Sequence, residues 1–231
     1  MNRHSAASGH GQGAHGGRTG ARGEPERPDK RERILTSALK VFAQKGFFGA
    51  KVSDVAEAAG VADGTIYLYF KSKDDLLISL FERRMQQVND TLRAAIAKVK
   101  SPKEQLRAFI GAYLQLVADE PAAAEVLTIE LRQSSKFMKE YENPQFADFL
   151  RMLGGIIAAA QDKGELASGI PSHVAARMIF GMLDELALAW VLARLHSGAG
   201  ASGARPKKFD IVRAADWVNS LVMRGLEKES P

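Results

Sequence analysis

The chain has 231 residues, with 32 lysines and arginines against 27 aspartates and glutamates, for a formal net charge of +5. A composition that is 45% hydrophobic and 26% charged is that of a globular protein long enough for one or two buried cores, not of a disordered or fibrous one. The absence of cysteine excludes disulfide scaffolds, zinc–thiolate sites, iron–sulfur clusters and cysteine nucleophiles, and it suits a reducing compartment.

Residues 1–23 hold Arg3, Arg18 and Arg22, seven glycines and no acid. Such a segment has too little apolar surface to offset its ordering entropy, so residues 1–28 are expected to be a disordered, basic, Gly-rich tail. His4, His10 and His15 invite a metal-binding reading. Without fixed geometry or carboxylate partners, a solvated tail is the better one, and no metal or other cofactor is expected.

From Asp29 the pattern turns helical. Ile34, Leu35, Ala38, Val41 and Phe42 share one helical face, with Asp29 as N-cap and Gly46 closing the helix in the left-handed region. A short helix over about 53–59 ends at Gly60, and another covers about 63–70. Ser72 with Asp75 forms a capping box for a long helix, 72–99, roughly 40 Å in length. Ser101, Pro102 and Glu104 supply N-cap, first-turn proline and capping acid for the next helix. Further helices begin near Pro121, near Asn143-Pro144 (ending at Gly164) and near Pro171-Ser172. A Gly-rich loop, 197–208, precedes a last helix. No stretch alternates as a strand would, and the longest uncharged apolar run, 152–160, is far short of the about 20 residues that span a bilayer. The expected fold is all-α with about nine helices: a helix-turn-helix domain at 29–75, joined by the long helix to an effector-binding and dimerisation domain at 76–231. With no apolar leader either, the protein is expected to be soluble and cytoplasmic, with no membrane partner.

The segment 52–76 carries the function. Val55, Ala56 and Ile66 face one core, Gly60 makes the tight turn and Val61 plugs the junction. That is a helix-turn-helix, whose second helix is built to enter a major groove. Gly64 lets this helix approach a sugar-phosphate backbone closely. Thr65 offers a hydroxyl beside free backbone N–H groups, Tyr67 and Tyr69 present rings with hydroxyl tips, and Lys71 and Lys73 add cations for phosphates. Core packing alone would explain the aromatics, but not Gly64, Thr65 and Lys73 at these offsets. With Lys51 and Ser53 at the head of the preceding helix, the candidate DNA-contacting set is Lys51, Ser53, Gly64, Thr65, Tyr67, Tyr69, Lys71 and Lys73.

These residues resemble the TetR family of bacterial transcriptional regulators at Gly60-Val61, Gly64, Tyr67, Phe70 and Lys73. The usual hydroxyl cap of the second helix falls at Lys51 and that of the recognition helix at Ala62, so Ser53 and Asp63 are expected to take over the capping. The common histidine of the recognition helix is Tyr69. The run 60–71 with 76–81, together with 130–134, 176–181 and 184–191, is similar to the FadR-type branch, whose members control fatty-acid degradation genes and release DNA on binding long-chain acyl-CoA. The resemblance implies a homodimeric repressor of operator DNA, with a small hydrophobic effector lodged in the helices after Ser101 and the last two long helices pairing with the partner's copies.

The C-terminal half supports a large apolar interior through Phe109, Tyr113, Leu127, Phe146, Leu150, Leu153, Phe180, Met182 and Trp190, all of which plain core packing would also explain. Glu130, Arg132 and Gln133 interrupt one apolar helix, and Asp184 and Glu185 another; charges in such surroundings need partners. Either Arg132 forms a structural ion pair with Asp184 or Glu185, or these groups hold the polar head of an effector. The candidate ligand-binding set is Phe109, Tyr113, Leu127, Arg132, Gln133, Phe180, Asp184 and Trp190. The alternative effector is a different hydrophobic ligand or drug, as for an efflux-pump regulator. No nucleophile elbow or phosphate loop is present, so no catalytic residue is assigned and the protein is not expected to be an enzyme. A sequence-independent architectural or membrane-surface role would need a polybasic amphipathic helix, which the Gly-rich tail does not offer.

Overall fold

A computed structural model describes residues 29–196 and 209–226; the tail with its histidines and the 197–208 loop lie outside the described residues. Among the described residues there are ten α-helices, one 3-10 turn and no strand. Helices α1 (Lys30–Gly49), α2 (Val52–Ala59) and α3 (Asp63–Tyr69) form an N-terminal unit, from which α4 (Lys73–Ile96) leads away. The rest comprises α5 (Pro102–Asp119), α6 (Pro121–Thr128), the 3-10 turn Glu130–Gln133, α7 (Ser135–Glu140), α8 (Pro144–Asp162), α9 (Ser172–Leu195) and α10 (Ile211–Gly225). The all-α architecture is the expected one, and α7 is the helix missing from that expectation.

In the N-terminal unit the three- and four-residue spacing of α1 buries Ile34, Leu35, Ala38, Val41 and Phe42 against Val55, Ala56 and Ala59 of α2, Ile66 of α3 and Phe70. Arg33 of α1 donates to the Ala59 carbonyl at 2.6 Å, tying α1 to the end of α2 where the turn begins. Gly60 there has φ 63° and ψ 43°, the left-handed conformation that lets the chain reverse into α3.

Helix α5 runs through the middle of the larger unit. Its Leu106, Phe109, Ile110 and Leu114 are fully buried, and it packs against α4, α8, α9 and α10. Each such side chain contributes about 1.5–3 kcal/mol relative to exposure.

Several helix ends differ from the sequence expectation, each for a visible reason. Gly46 closes the main run of α1, but with φ 70° and ψ 161° rather than in the left-handed helical region, and one more turn follows. Helix α2 starts at Val52, before Ser53; its N-cap is Lys51, whose N–H is taken by the Asp54 carboxylate at 2.8 Å. Asp63 does not cap α3 either: it is the first helical residue, behind Ala62. Ser72 caps α4 as expected, accepting from the Asp75 N–H, but Asp75 reaches back to the Lys71 N–H instead of that of Ser72. Helix α4 ends at Ile96 instead of Val99, because the last turn tightens and the Gln105 side chain takes the Val99 carbonyl at 2.9 Å. The acid at the start of α5 is Glu165, not Glu104: it accepts from the Lys103 N–H and the Ser101 hydroxyl, each at 2.8 Å, while Glu104 pairs with Arg107.

Candidate nucleic-acid interface and effector cavity

Helix α3 buries Ile66 and turns the rest of its surface outward. Tyr67, Leu68 and Tyr69 are exposed, as are Gly64, Lys51, Ser53 and Lys71, while Thr65 is half-buried. A Cβ on Gly64 would meet nothing within 4 Å, so the chain's own packing does not require glycine there. Beside this face Lys45 forms an ion pair with Asp54 at 2.9 Å. The Lys51 backbone N–H and then Lys45 hold the Asp54 carboxyl below its ordinary pKa.

Lys73 is turned the other way. Its ammonium donates to the carbonyls of Phe47 at 2.7 Å and Ala50 at 3.1 Å, and it sits 4.6 Å from the centre of the Phe47 ring. It thus satisfies the carbonyls at the end of α1 and fastens the start of α4 to them. On the opposite side of the same segment, Glu130 of the 3-10 turn, buried, accepts the Phe47 N–H at 2.5 Å and the Gln133 side chain at 3.2 Å. Four residues on, the Ser134 hydroxyl donates to Asp74 of α4 at 2.6 Å. Ser134 also caps α7, accepting from the Phe137 N–H. Glu130 therefore ties this short turn to α1, and Ser134, the residue after it, ties to the start of α4.

That turn also forms one wall of a cavity of about 380 Å³, lined by α4, α5, α6, α7, α8 and α9. Its lining is mostly apolar and rich in aromatics: Phe81, Met85, Val88, Tyr113, Leu116, Leu127, Leu131, Phe137, Phe146, Phe149 and Phe180. The rings of Phe146, Phe149 and Phe180 lie within contact of one another, with Phe146 and Phe180 edge-to-face at 4.7 Å. Two ion pairs also line it, Arg84 with Glu120 and Arg132 with Asp184, the latter at 2.5 Å. Burial pushes the Tyr113 hydroxyl pKa up, the charge of Asp184 adds to this and that of Arg132 opposes it.

Of the residues expected at an effector site, Tyr113, Leu127, Arg132, Phe180 and Asp184 line the cavity; Phe109, Gln133 and Trp190 do not. Phe109 is fully buried behind it, its ring 5.1 Å from that of Phe149. Gln133 bonds to Glu130, and Trp190 lies under Arg194 at 4.7 Å. The two readings of Arg132 meet in one geometry, an ion pair with Asp184 in the cavity wall. Phe81, Met85 and Arg84 escape sequence reasoning because the long helix reads as one amphipathic stripe, and nothing in that stripe separates wall from core. Phe137 was recoverable: Ser134 three residues before it is an N-cap signal.

A helix-turn-helix with its second helix exposed is the architecture of a DNA-binding regulator, here joined to a helical unit around an apolar cavity. Residues 34–80 match the family described as bacterial regulatory proteins, tetR family, and residues 81–225 match the C-terminal region of the YsiA-like proteins. The chain belongs to the TetR family of transcriptional regulators, which are DNA-binding proteins and not enzymes. It is 34% identical to the fatty acid metabolism regulator protein of Bacillus subtilis, over 85% of this chain and 95% of that one. It is 29% identical to the transcriptional repressor BepR of Brucella suis, over 89% and 95%. Among solved structures, the fatty acid degradation regulator FadR of Bacillus halodurans superposes with a TM-score of 0.76 at 32% identity, over 89% of this chain and all of that one. The FadR of Bacillus subtilis in complex with stearoyl-CoA superposes at 0.74 with 34% identity, over 85% and 99%.

Proposed function

We propose that the protein is a homodimeric, cytoplasmic repressor of fatty-acid metabolism genes, released from its operator when a long-chain acyl-CoA enters the cavity. The observation that carries this reading is the 3-10 turn Glu130–Gln133: Leu131 and Arg132 line the cavity while Glu130 holds the Phe47 N–H of the DNA-binding unit. A chain lodged among Tyr113, Leu127, Phe146 and Phe180 displaces that wall, and Arg132 supplies a cation for the polar head. The stearoyl-CoA complex of the Bacillus subtilis relative supports the choice of ligand.

DNA is held through Gly64, Thr65, Tyr67, Tyr69 and Lys71, with Lys51 and Ser53 at the head of α2. The dimer forms through α9 and α10, which leave Met178, Trp217 and Leu221 more than half exposed. The two recognition helices must then sit about 34–36 Å apart to reach successive major grooves. The ligand binds the spread dimer more tightly than the DNA-ready one, and loss of DNA affinity follows by reciprocity.

Titrating the protein–DNA complex with palmitoyl-CoA or oleoyl-CoA tests this. Release at micromolar ligand, with none by free CoA, is the expected result. The dense ring lining favours one second reading, an aromatic drug as effector; release by such a drug and by neither acyl-CoA would establish it instead.

A further inference from the structure

Helix α3 leaves a leucine almost bare. Leu68 is 82% exposed, more than any other large apolar side chain among those described as exposed, and it is flanked by Tyr67 at 58% and Tyr69 at 40%. An α-helix turns about 100° per residue, so Leu68 lies about 160° around the helix from Ile66, the residue buried against the domain. It therefore projects straight away from the protein. Gly64, one turn earlier, lies only about 40° from it and adds no side chain, so the ridge in front of Leu68 is clear. Tyr67 and Tyr69 sit about 100° to either side.

A helix laid in a major groove puts its outermost side chain on the floor and its flanking side chains against the walls. The walls are sugar and phosphate, which suit the tyrosine hydroxyls and the exposed Lys51 and Lys71; the one acid of the helix, Asp63, lies at its start, about 140° around from Leu68. The floor is base edges, nearly all of them hydrogen-bonding groups. Leu68 has no group to pair with them. The apolar feature a major-groove edge offers is the C5-methyl of thymine.

We infer that Leu68 is a sequence-determining residue of this regulator, reading a thymine methyl in each half-site of the operator. The inference rests on the DNA-binding reading above and adds the base it selects. A leucine on the groove floor discriminates by contact with one methyl group and by refusing to cover a base edge left unpaired.

The test uses the full chain and duplexes it selects from a random pool. In a selected duplex each thymine is replaced in turn by deoxyuridine, which differs by that methyl alone. A replacement in one half-site should weaken binding about fourfold, from the transfer free energy of a single methyl group, and replacements in both half-sites about fifteenfold. Leu68→Ala should bind more weakly and be indifferent to the same replacements, with its thermal unfolding little changed because the side chain is 82% exposed. Leu68→Met, which keeps an apolar tip, should retain the penalty. Indifference of the unaltered protein to deoxyuridine at every position, or an equal loss in Leu68→Ala, overturns the inference while leaving the DNA-binding reading standing. Failure to select any sequence overturns both.

Discussion

The exposed tyrosines and lysines around α3 divide by what their tips touch. Tyr67 is open to solvent, and Tyr67→Ala should weaken operator binding severalfold without altering helicity, as read by gel shift and circular dichroism. Lys71 is exposed, and Lys71→Ala should lower the slope of log affinity against log salt by about one unit. Lys73, expected beside it at a phosphate, has its ammonium on the Phe47 and Ala50 carbonyls. Removing a charged donor from partly buried carbonyls costs about 1.5–3 kcal/mol, so Lys73→Ala should lower the melting temperature and leave the salt slope unchanged. A slope reduced by one with an unchanged melting temperature would return Lys73 to the DNA. The difference between the two lysines is invisible in sequence, where they flank the Ser72 cap at the start of the long helix. Gly46 is constrained differently: at φ 70° and ψ 161° it occupies a region open essentially to glycine alone. Gly46→Ala should cost about 1–3 kcal/mol in denaturant unfolding.

At the scale of elements, the 3-10 turn joins the cavity wall to the DNA-binding unit, beside α6, which also packs on α1. Thr128 ends α6, its hydroxyl donating back to the Ala124 carbonyl, and the chain tightens into Glu130–Gln133. Glu130→Ala leaves the buried Phe47 N–H without an acceptor and should cost about 1–3 kcal/mol. It should also shrink the ratio of DNA affinities measured without and with palmitoyl-CoA, whereas Glu130→Gln, which keeps an acceptor oxygen, should retain part of it. An unchanged ratio in Glu130→Ala would remove the turn from the coupling path. The start of α5 carries a pH-dependent contact of its own. The Lys103 N–H and the Ser101 hydroxyl hold the Glu165 carboxyl below its ordinary pKa, so this contribution is complete above the unfolded carboxylate range. It is lost as pH falls through the lowered folded value, and Glu165→Gln should flatten the acid limb of stability against pH.

For the whole molecule, the proposed dimer leaves the long helix and the outward faces of α9 and α10 to decide how two copies would present their recognition helices. Helix α4 has 24 residues and spans about 36 Å, from its Ser72 cap beside α3 to contacts with α5 and α8. In the proposed mechanism a ligand that moves the cavity wall tilts this rod, because Phe81, Met85 and Val88 of α4 are part of that wall. Trp217→Glu combined with Leu221→Glu should give a monomer in sedimentation, since both side chains are exposed and apolar. Operator affinity should then fall roughly a hundredfold or more, because two half-sites no longer bind as one. A stable dimer in that double variant would move the interface elsewhere.

The amino-acid sequence by itself determined the all-α class, the helix-turn-helix and most helix starts. These rest on local chemistry: apolar residues at three- and four-residue spacing along α1, the Ser72 and Ser101 hydroxyls as caps, and Gly60 at a turn that needs positive φ. The same locality makes Arg132 and Asp184 legible in sequence as charges in apolar runs, and both stand in the cavity lining. Only the tertiary structure decided what lies between distant segments. Glu165 rather than Glu104 serves the start of α5, 62 residues from the N–H it accepts, and Glu130 reaches Phe47 across 83. Phe109 went to the core and Phe149 to the cavity wall, though both are phenylalanines on the apolar stripes of amphipathic helices. Periodicity says which face of a helix is buried; whether that face meets another side chain or an empty space depends on which helices surround it.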